Sequence, residues 1–160
     1  MGREQSASME DYLEAVAVLR GEGKIVRVKQ IGEVLGVKMP SVTAALRKLS
    51  EEGLVEHEPY GYVELTPKGD KAAKDVFQRH EVLHHFLTHV LGIDPQTSQE
   101  DACRMEHAIG SITMERLAKF IEFIEACPQG EPPWLVNYSY YLKYGKLPEE
   151  CPAMISKKKK

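Results

Sequence analysis

Residues 31–42, IGEVLGVKMPSV, have the spacing of two short helices joined by a tight turn, and this feature restricts the fold most strongly. A helix-turn-helix needs a small residue where its helices cross, and Gly32 occupies that position. The turn needs a residue that adopts a left-handed backbone, which Gly36 does without steric cost. Val42, six positions later, is a branched apolar residue suited to seal the two helices. The spacing therefore predicts a helix-turn-helix.

The sequence around this motif predicts a winged helix. Apolar residues at helical spacing predict a first helix over 8–21, a second over 28–35 and a third over about 40–52. Two short runs, 54–58 and 62–65, then flank a Pro-Tyr-Gly turn, which is typical of a β-hairpin. Three helices followed by a two-stranded wing form one coherent winged-helix unit.

The charge of the chain is unevenly distributed. The whole sequence holds 21 lysines and arginines and 24 acidic residues, which gives a formal net charge of -3. Residues 24–48, however, include six basic residues and one acid, Glu33, so that this segment carries +5. A basic segment of this kind is the usual electrostatic signature of a site for a polyanion. On charge alone, a solvated helix face is the alternative interpretation.

The third helix is predicted to enter the major groove of double-stranded DNA by its first turn. Short hydroxyl side chains there suit base edges or phosphates, and Pro40 and Ala44 offer apolar contact to a thymine methyl group. Basic side chains would hold the phosphate backbone, and the wing would lie near the minor groove. The residues predicted to bind DNA are Lys29, Lys38, Pro40, Ser41, Thr43, Arg47, Lys48 and Tyr62. A winged helix used only for protein contacts is the alternative.

The rest of the chain is predicted to be helical. A long helix is expected over 67–91, a second over 98–108 after a break at Pro95, and a third over 113–126. Beyond residue 127 the pattern is irregular and rich in proline and aromatic residues.

These elements predict two domains and a tail. A winged-helix domain is expected over 1–75, an all-α domain over 76–145, and a tail over 146–160 that is disordered at its lysine-rich end. The absence of a run of eighteen apolar residues predicts no membrane span, and the polar start of the chain predicts no signal peptide. Three cysteines, an odd number, predict a reducing cytoplasm, and Cys127 and Cys151 have no assigned role.

A second motif, residues 103–107, places metal-binding side chains at helical spacing. Positions i, i+3 and i+4 of a helix share one face, so Cys103, Glu106 and His107 would converge as thiolate, carboxylate and imidazole. Asp11 and Glu14 share a face of the first helix in the same way. A mixed set with several carboxylates suits a five- or six-coordinate divalent ion rather than tetrahedral structural zinc.

Two histidine pairs on the long helix could extend this set. His80 and His84 are four residues apart, as are His85 and His89, and the spacing does not choose between them. Simpler interpretations also exist, because acids in a first helical turn complement the positive end of the helix dipole.

The motifs together resemble the DtxR/MntR family of metal-dependent transcriptional repressors. The resemblance covers about residues 6–127 and rests on five blocks in the family's order: MEDYLE from Met9, PSVT from Pro40, LTPKG from Leu65, RHEVL from Arg79 and ACRMEH from Ala102. It implies a mainly α fold, in which a long helix joins an N-terminal winged helix to a helical metal-binding and dimerisation domain. It also implies a homodimer that binds palindromic operators when loaded with Fe(II) or Mn(II).

The resemblance implies a ligand set and a choice of metal. The family's ligands correspond to Asp11, Glu14, His80, Cys103, Glu106 and His107. Asp11 is similar to the manganese branch of the family, whereas Cys103 is similar to the iron branch. Because a thiolate raises affinity for Fe(II), Co(II), Ni(II) and Zn(II) over Mn(II), Fe(II) is favoured and the other ions can substitute.

We therefore predict a cytoplasmic repressor that senses Fe(II) or Mn(II), controls metal-homeostasis genes and is not an enzyme. Its expected partners are double-stranded DNA and a second copy of itself, with neither a membrane nor a small-molecule substrate. The metal would tie the first helix to the second domain and so set the spacing of the two recognition helices. Two alternatives remain: a winged-helix regulator that responds to an organic ligand, and a small metalloenzyme that activates water.

Overall fold

The computed structural model describes residues 8–57, 61–128 and 130–149. These ranges contain seven α-helices and a two-stranded antiparallel sheet, which confirms the mainly α fold with an N-terminal winged helix. The predicted hairpin turn at Pro59 and Tyr60, the second unassigned cysteine, Cys151, and the lysine-rich end of the tail lie outside the described residues. None of the helices within these ranges is long and apolar enough to cross a membrane.

The chain divides into two compact units, Met1–Glu81 and Val82–Lys160. This division and the domain boundary predicted at residues 75 and 76 both fall within one long helix.

The first unit begins with three helices, α1 (Met9–Gly21), α2 (Val28–Leu35) and α3 (Met39–Glu51). The hydroxyl of Ser8 caps α1 by accepting the backbone amide of Asp11 at 3.2 Å. Gly36 ends α2 with a φ of 64°, as the turn requires. A Cβ atom on Gly32 would lie 3.0 Å from the carbonyl oxygen of Val37, so the small residue is needed where α2 meets the turn.

The wing follows α3 as two short strands, β1 (Val55–His57) and β2 (Val63–Leu65). Val55 lies opposite Leu65 and His57 opposite Val63, so that the two valines point into the core while the glutamates between them are exposed. The amide of Val63 also donates to the carbonyl of Val26 at 2.9 Å, which ties β2 to the segment between α1 and α2.

Helix α4 (Pro67–His85) starts against the loop that precedes β1. The Thr66 hydroxyl donates to the carbonyl of Gly53 at 2.8 Å and accepts the amide of Gly69 at 3.1 Å. A Cβ atom on Gly69 would lie 1.9 Å from the carbonyl oxygen of Leu54, so the backbones can approach this closely only with glycine at position 69.

The long helix predicted over 67–91 ends differently from expectation. From Phe86 to Val90 the chain forms a π-helical turn, in which the amide of Leu91 donates to the carbonyl of Phe86 at 3.1 Å. The hydroxyl of Thr88 donates to the carbonyl of His84 at 2.7 Å, and this bond competes with the α-helical pattern.

The second unit continues with α5 (Pro95–Met105), α6 (Ser111–Glu125) and α7 (Pro133–Tyr144). Two predictions were wrong here: α5 starts three residues before residue 98, and α7 forms where an irregular chain was expected. In both cases a proline stands in the first helical turn, where its missing amide hydrogen has no cost. The carboxylate of Asp94 caps α5 by accepting the amide of Thr97 at 2.9 Å.

Candidate DNA-binding surface and metal centre

Helix α3 buries one side in the first unit and exposes the other. Four apolar residues on one face of the helix are buried and hold it in place: Val42, Ala45, Leu46 and Leu49. All eight residues predicted to bind DNA are exposed: Lys29, Lys38, Pro40, Ser41, Thr43, Arg47, Lys48 and Tyr62. The structure therefore leaves each of them accessible to a partner.

The exposed side of α3 forms a shallow concavity. The hydroxyl of Thr43 donates to the carbonyl of Met39 at 3.1 Å, so it offers a partner its lone pairs and its methyl group. Met39 is 55% exposed and was not among the residues predicted to bind DNA. The lining combines apolar, hydroxyl and cationic groups, as base edges and phosphates require: Met39, Pro40, Thr43, Ala44, Arg47 and Lys48.

The cations of this surface differ in their ion pairs. Lys29 lies 3.7 Å from Glu33, and Arg47 lies 3.3 Å from Glu51, both four residues along the same helix. Such exposed pairs contribute little to stability, and a phosphate can displace the carboxylate. Within the ranges that the structure describes, no carboxylate pairs with Lys38 or Lys48 on this surface.

Asp11 and Glu14 lie together on α1, as their spacing predicts. Each offers a carboxylate oxygen within 4.8 Å of the other, and both side chains are partly buried. The Asp11 carboxylate also accepts the backbone amide of Ser8 and so completes a capping box. Burial, together with the negative charge of Asp11, raises the pKa of the neighbouring Tyr12 hydroxyl.

Glu106 and His107 form a second pair, in the second unit. Glu106 follows the last residue of α5 with helical backbone angles and is completely buried. The Nε2 atom of His107 lies 3.2 Å from the Oε1 atom of Glu106. The two residues offer ligand atoms within 4.8 Å of each other. A buried carboxylate is costly unless hydrogen bonds or a cation compensate its charge, so this pair fits a cation.

The other predicted ligands lie outside these two pairs. His80 is buried on α4, and Cys103 is exposed in the last turn of α5. The alternative histidine pair has partners of its own: the rings of His85 and His89 stack at 4.1 Å, and His85 Nε2 lies 3.3 Å from a carboxylate oxygen of Glu125.

The chemistry of the two pairs fits a divalent first-row ion. The first pair supplies two carboxylates and the second supplies a carboxylate and an imidazole, and hard and borderline donors of these kinds suit Mn(II) and Fe(II). A closed tetrahedral zinc site would instead require several thiolates or imidazoles.

Comparison with known protein families gives two matches. The family model described as the N-terminal DNA-binding domain of iron-dependent repressors matches residues 4–63. The model described as the metal-binding and dimerisation domain of iron-dependent repressors matches residues 66–135. The first range contains the whole of α1 to α3, and the second contains Glu106 and His107.

Individual proteins are similar over most of the chain. An uncharacterised HTH-type transcriptional regulator of Methanocaldococcus jannaschii is 36% identical over 118 residues, which are 73% of this chain and 94% of that protein. The HTH-type transcriptional regulator MntR of Lysinibacillus sphaericus is 36% identical over 121 residues, which are 76% of this chain and 86% of that protein.

Solved structures are similar as well. The structure of the manganese regulator SloR superposes with a TM-score of 0.67 and 30% identity over 78% of this chain. The matched region is 58% of the SloR chain, so the present chain spans little more than half of that protein.

Proposed function

The chain belongs to the DtxR/MntR family of metal-dependent transcriptional repressors, and from this premise we propose that it represses transcription as a homodimer that binds DNA when loaded with Fe(II) or Mn(II). One observation carries the proposal: a chain with an exposed basic recognition helix, α3, also holds a fully buried carboxylate beside an imidazole, Glu106 and His107. The first feature suits DNA and the second suits a cation. The family consists of transcriptional regulators, and we assign no catalytic residue.

We propose that Asp11 and Glu14 from α1 and Glu106 and His107 from the end of α5 bind one divalent ion together. When bound, the ion supplies positive charge that compensates three carboxylates. Without it, the carboxylates repel one another, and their desolvation opposes any approach of the two pairs. Metal and DNA affinities would then be coupled reciprocally, typically by about 1–3 kcal/mol.

His80 and Cys103 are proposed as additional ligands, and Cys103 decides the metal preference. With its thiolate in the set, Fe(II) is favoured over Mn(II), and Co(II), Ni(II) or Zn(II) can substitute. Without the Cys103 thiolate, the remaining oxygen-rich ligand set suits Mn(II) as well as Fe(II). Cys103→Ser should therefore lower the affinity for Fe(II) more than that for Mn(II), as measured by anaerobic titration of the metal-free protein.

The DNA target is proposed to be a palindrome. Two recognition helices related by a twofold axis would enter major grooves one helical turn apart, or a multiple of that distance. Such a regulator acts where the DNA is, so we place it in the cytoplasm, where it would control genes of metal homeostasis.

The deciding experiment measures binding to a palindromic DNA library with added Mn(II) or Fe(II) and with a chelator. Wild-type protein should bind at least about fivefold more tightly with metal. His107→Ala and Glu106→Gln should lose this stimulation while they remain folded by circular dichroism. His89→Ala is the matched control. It removes an imidazole of the second unit, and this imidazole belongs neither to the pair of Asp11 and Glu14 nor to the pair of Glu106 and His107.

Two results would contradict the proposal. Equal DNA binding by wild-type protein with chelator and with metal would exclude metal dependence. Full stimulation of His107→Ala and Glu106→Gln would remove that pair from the site.

A further inference from the structure

The segment between α1 and α2 lies against the wing. The amide of Val63 in β2 donates to the carbonyl of Val26 at 2.9 Å, which fixes the two backbones side by side. The next residue, Arg27, then places its guanidinium carbon 5.7 Å from the ring centroid of Tyr62. A guanidinium over an aromatic ring at this distance makes a cation–π contact. Arg27 and Tyr62 are therefore a pair that joins the start of α2 to the wing.

Arg27 differs from the basic residues beside it in its ion pairs. Lys24 lies 2.6 Å from a carboxylate oxygen of Glu22, and Lys29 lies 3.7 Å from one of Glu33. For Arg27, no carboxylate partner exists among residues 8–57, 61–128 and 130–149. Its side chain is exposed, and its guanidinium lies over the ring of Tyr62.

The surroundings of Arg27 suit an anion. They form a shallow, open concavity with three cationic side chains and no acidic side chain in its lining: Lys24, Ile25, Arg27, Lys29 and Gln30. A guanidinium carries five N–H donors in a planar fork, and two of them suit two phosphate oxygens at once.

We propose that Arg27, positioned by the ring of Tyr62, binds a backbone phosphate of double-stranded DNA. This inference rests on the proposed DNA binding and adds a phosphate-binding site between α2 and the wing, apart from the cations of α3. The ring restricts the conformations of the long arginine side chain, so less conformational entropy is lost when the phosphate binds. Tyr62 then acts on DNA as a positioning residue.

Salt titration of DNA binding tests the phosphate contact. The probe is a short duplex of random sequence with Mn(II) present, and affinity is measured at several salt concentrations. Arg27→Ala should reduce the slope of log affinity against log salt by about 0.9, the value for one lost phosphate contact. Its affinity at low salt should fall about tenfold. Arg27→Lys keeps the charge without the planar fork, so its slope should stay close to that of wild type while its affinity falls.

A double-mutant cycle tests the positioning role of Tyr62. Tyr62→Phe keeps the ring and should bind like wild type. Tyr62→Leu removes the ring and should weaken binding in the wild-type background, but much less in the Arg27→Ala background, because the two residues would act together. Equal losses in both backgrounds would overturn the positioning role.

Controls separate this inference from the proposed function. Lys71→Ala removes one exposed positive charge from α4 of the same unit and should leave the slope within about 0.3 of wild type, well below one phosphate contact. An unchanged slope in Arg27→Ala, with normal binding by wild type, would overturn the phosphate contact alone. Failure of wild-type protein to bind any duplex with metal would instead overturn the proposed function.

Discussion

The two units of the chain differ in how much of their apolar surface they bury. In the first unit, a single cluster of fifteen buried side chains extends through α1, α2, α3 and both strands. In the second unit, the main cluster among the described residues has four buried members: Leu83, Leu87, Ala102 and Met114. Since burial of apolar area is the main driving force for folding, the first unit has much more of its own stabilisation.

Among the described residues, the second unit exposes more large apolar side chains than the first unit, nine against six. Ile112 and Phe123 on α6 are 73% and 68% exposed, and Trp134, Leu142 and Tyr144 on α7 are also exposed. Large apolar side chains exposed together on a protein surface commonly mark a contact with another molecule. The comparison teaches that the first unit forms a complete core, whereas the second unit is suited to be completed by a partner. This agrees with the dimerisation role in the description of the family model that covers α6.

The largest expected effect tests how tightly the first unit is packed. Gly69→Ala places a Cβ atom 1.9 Å from the carbonyl oxygen of Leu54, so the start of α4 must move away from the loop that precedes β1. We expect a loss of about 4 kcal/mol in the free energy of unfolding, measured by urea denaturation.

The matched control for Gly69→Ala is Gly21→Ala, in the same unit. A Cβ atom on Gly21 meets nothing within 4 Å, and Gly21 is the last residue of α1. We expect no loss of stability there, and a gain of up to about 1 kcal/mol. If both variants lose the same free energy of unfolding, the close approach at Gly69 does not limit the packing of the first unit.

The next effect tests the exposed face of the second unit. Phe123→Glu places a charge on α6 where we expect a second copy to pack, so the dimer dissociation constant should rise about tenfold or more. Sedimentation equilibrium measures this change as a shift in the dimer dissociation constant.

An exposed phenylalanine in the first unit provides the control for Phe123→Glu. Phe77 on α4 is 58% exposed, close to the value for Phe123. Phe77→Glu should leave the dimer dissociation constant within about twofold of wild type, which is under 0.5 kcal/mol. If Phe77→Glu dissociates the dimer and Phe123→Glu does not, the dimer interface lies on the first unit rather than on the second.

The smallest effect concerns the cap of α5 in the second unit. Hydrogen bonds from the side chain and backbone of Thr97 hold the pKa of Asp94 below its ordinary value. The folded state therefore favours the charged form, and this stabilisation is present at neutral pH and lost as pH falls through the lowered pKa. Asp94→Ala should melt slightly below wild type at pH 7, and the difference should shrink under acid conditions. A difference that is unchanged at low pH would exclude the charge as its cause.

The parts of the fold with local signals could be predicted from the sequence. Helix α2 was predicted over 28–35 and has these bounds, because its apolar spacing and Gly36 both act within a few residues. The start of α5 was missed because Pro95 was interpreted as a break, and α7 was missed because the proline-rich segment after residue 127 was interpreted as irregular. A proline is compatible with either a break or a first turn, and the choice depends on capping and tertiary packing.

In the candidate sites, too, features with a local sequence signal could be predicted, whereas features that depend on tertiary structure could not. The α3 residues predicted to bind DNA, which are Pro40, Ser41, Thr43, Arg47 and Lys48, are all exposed, and their role in DNA binding stays a prediction. The contact between Arg27 and Tyr62 was missed because it joins residues that are far apart in the sequence and depends on how the wing folds back. The spacing that predicted a common face for Glu106 and His107 also predicted Cys103 on that face, yet Cys103 is exposed while Glu106 is fully buried. The ligand role of Cys103 therefore stays a prediction.

The π-helical turn at Phe86–Val90 has a consequence for how this protein can vary during evolution. A π turn holds about one residue more than an α-helical turn, and this one directly follows α4 and ends at Val90. Loss of a single residue there would restore ordinary helix without rotating Leu83, which precedes the turn, away from its core neighbours. Insertions and deletions are usually confined to loops, but this turn gives the chain a position at the end of a helix where its length can change.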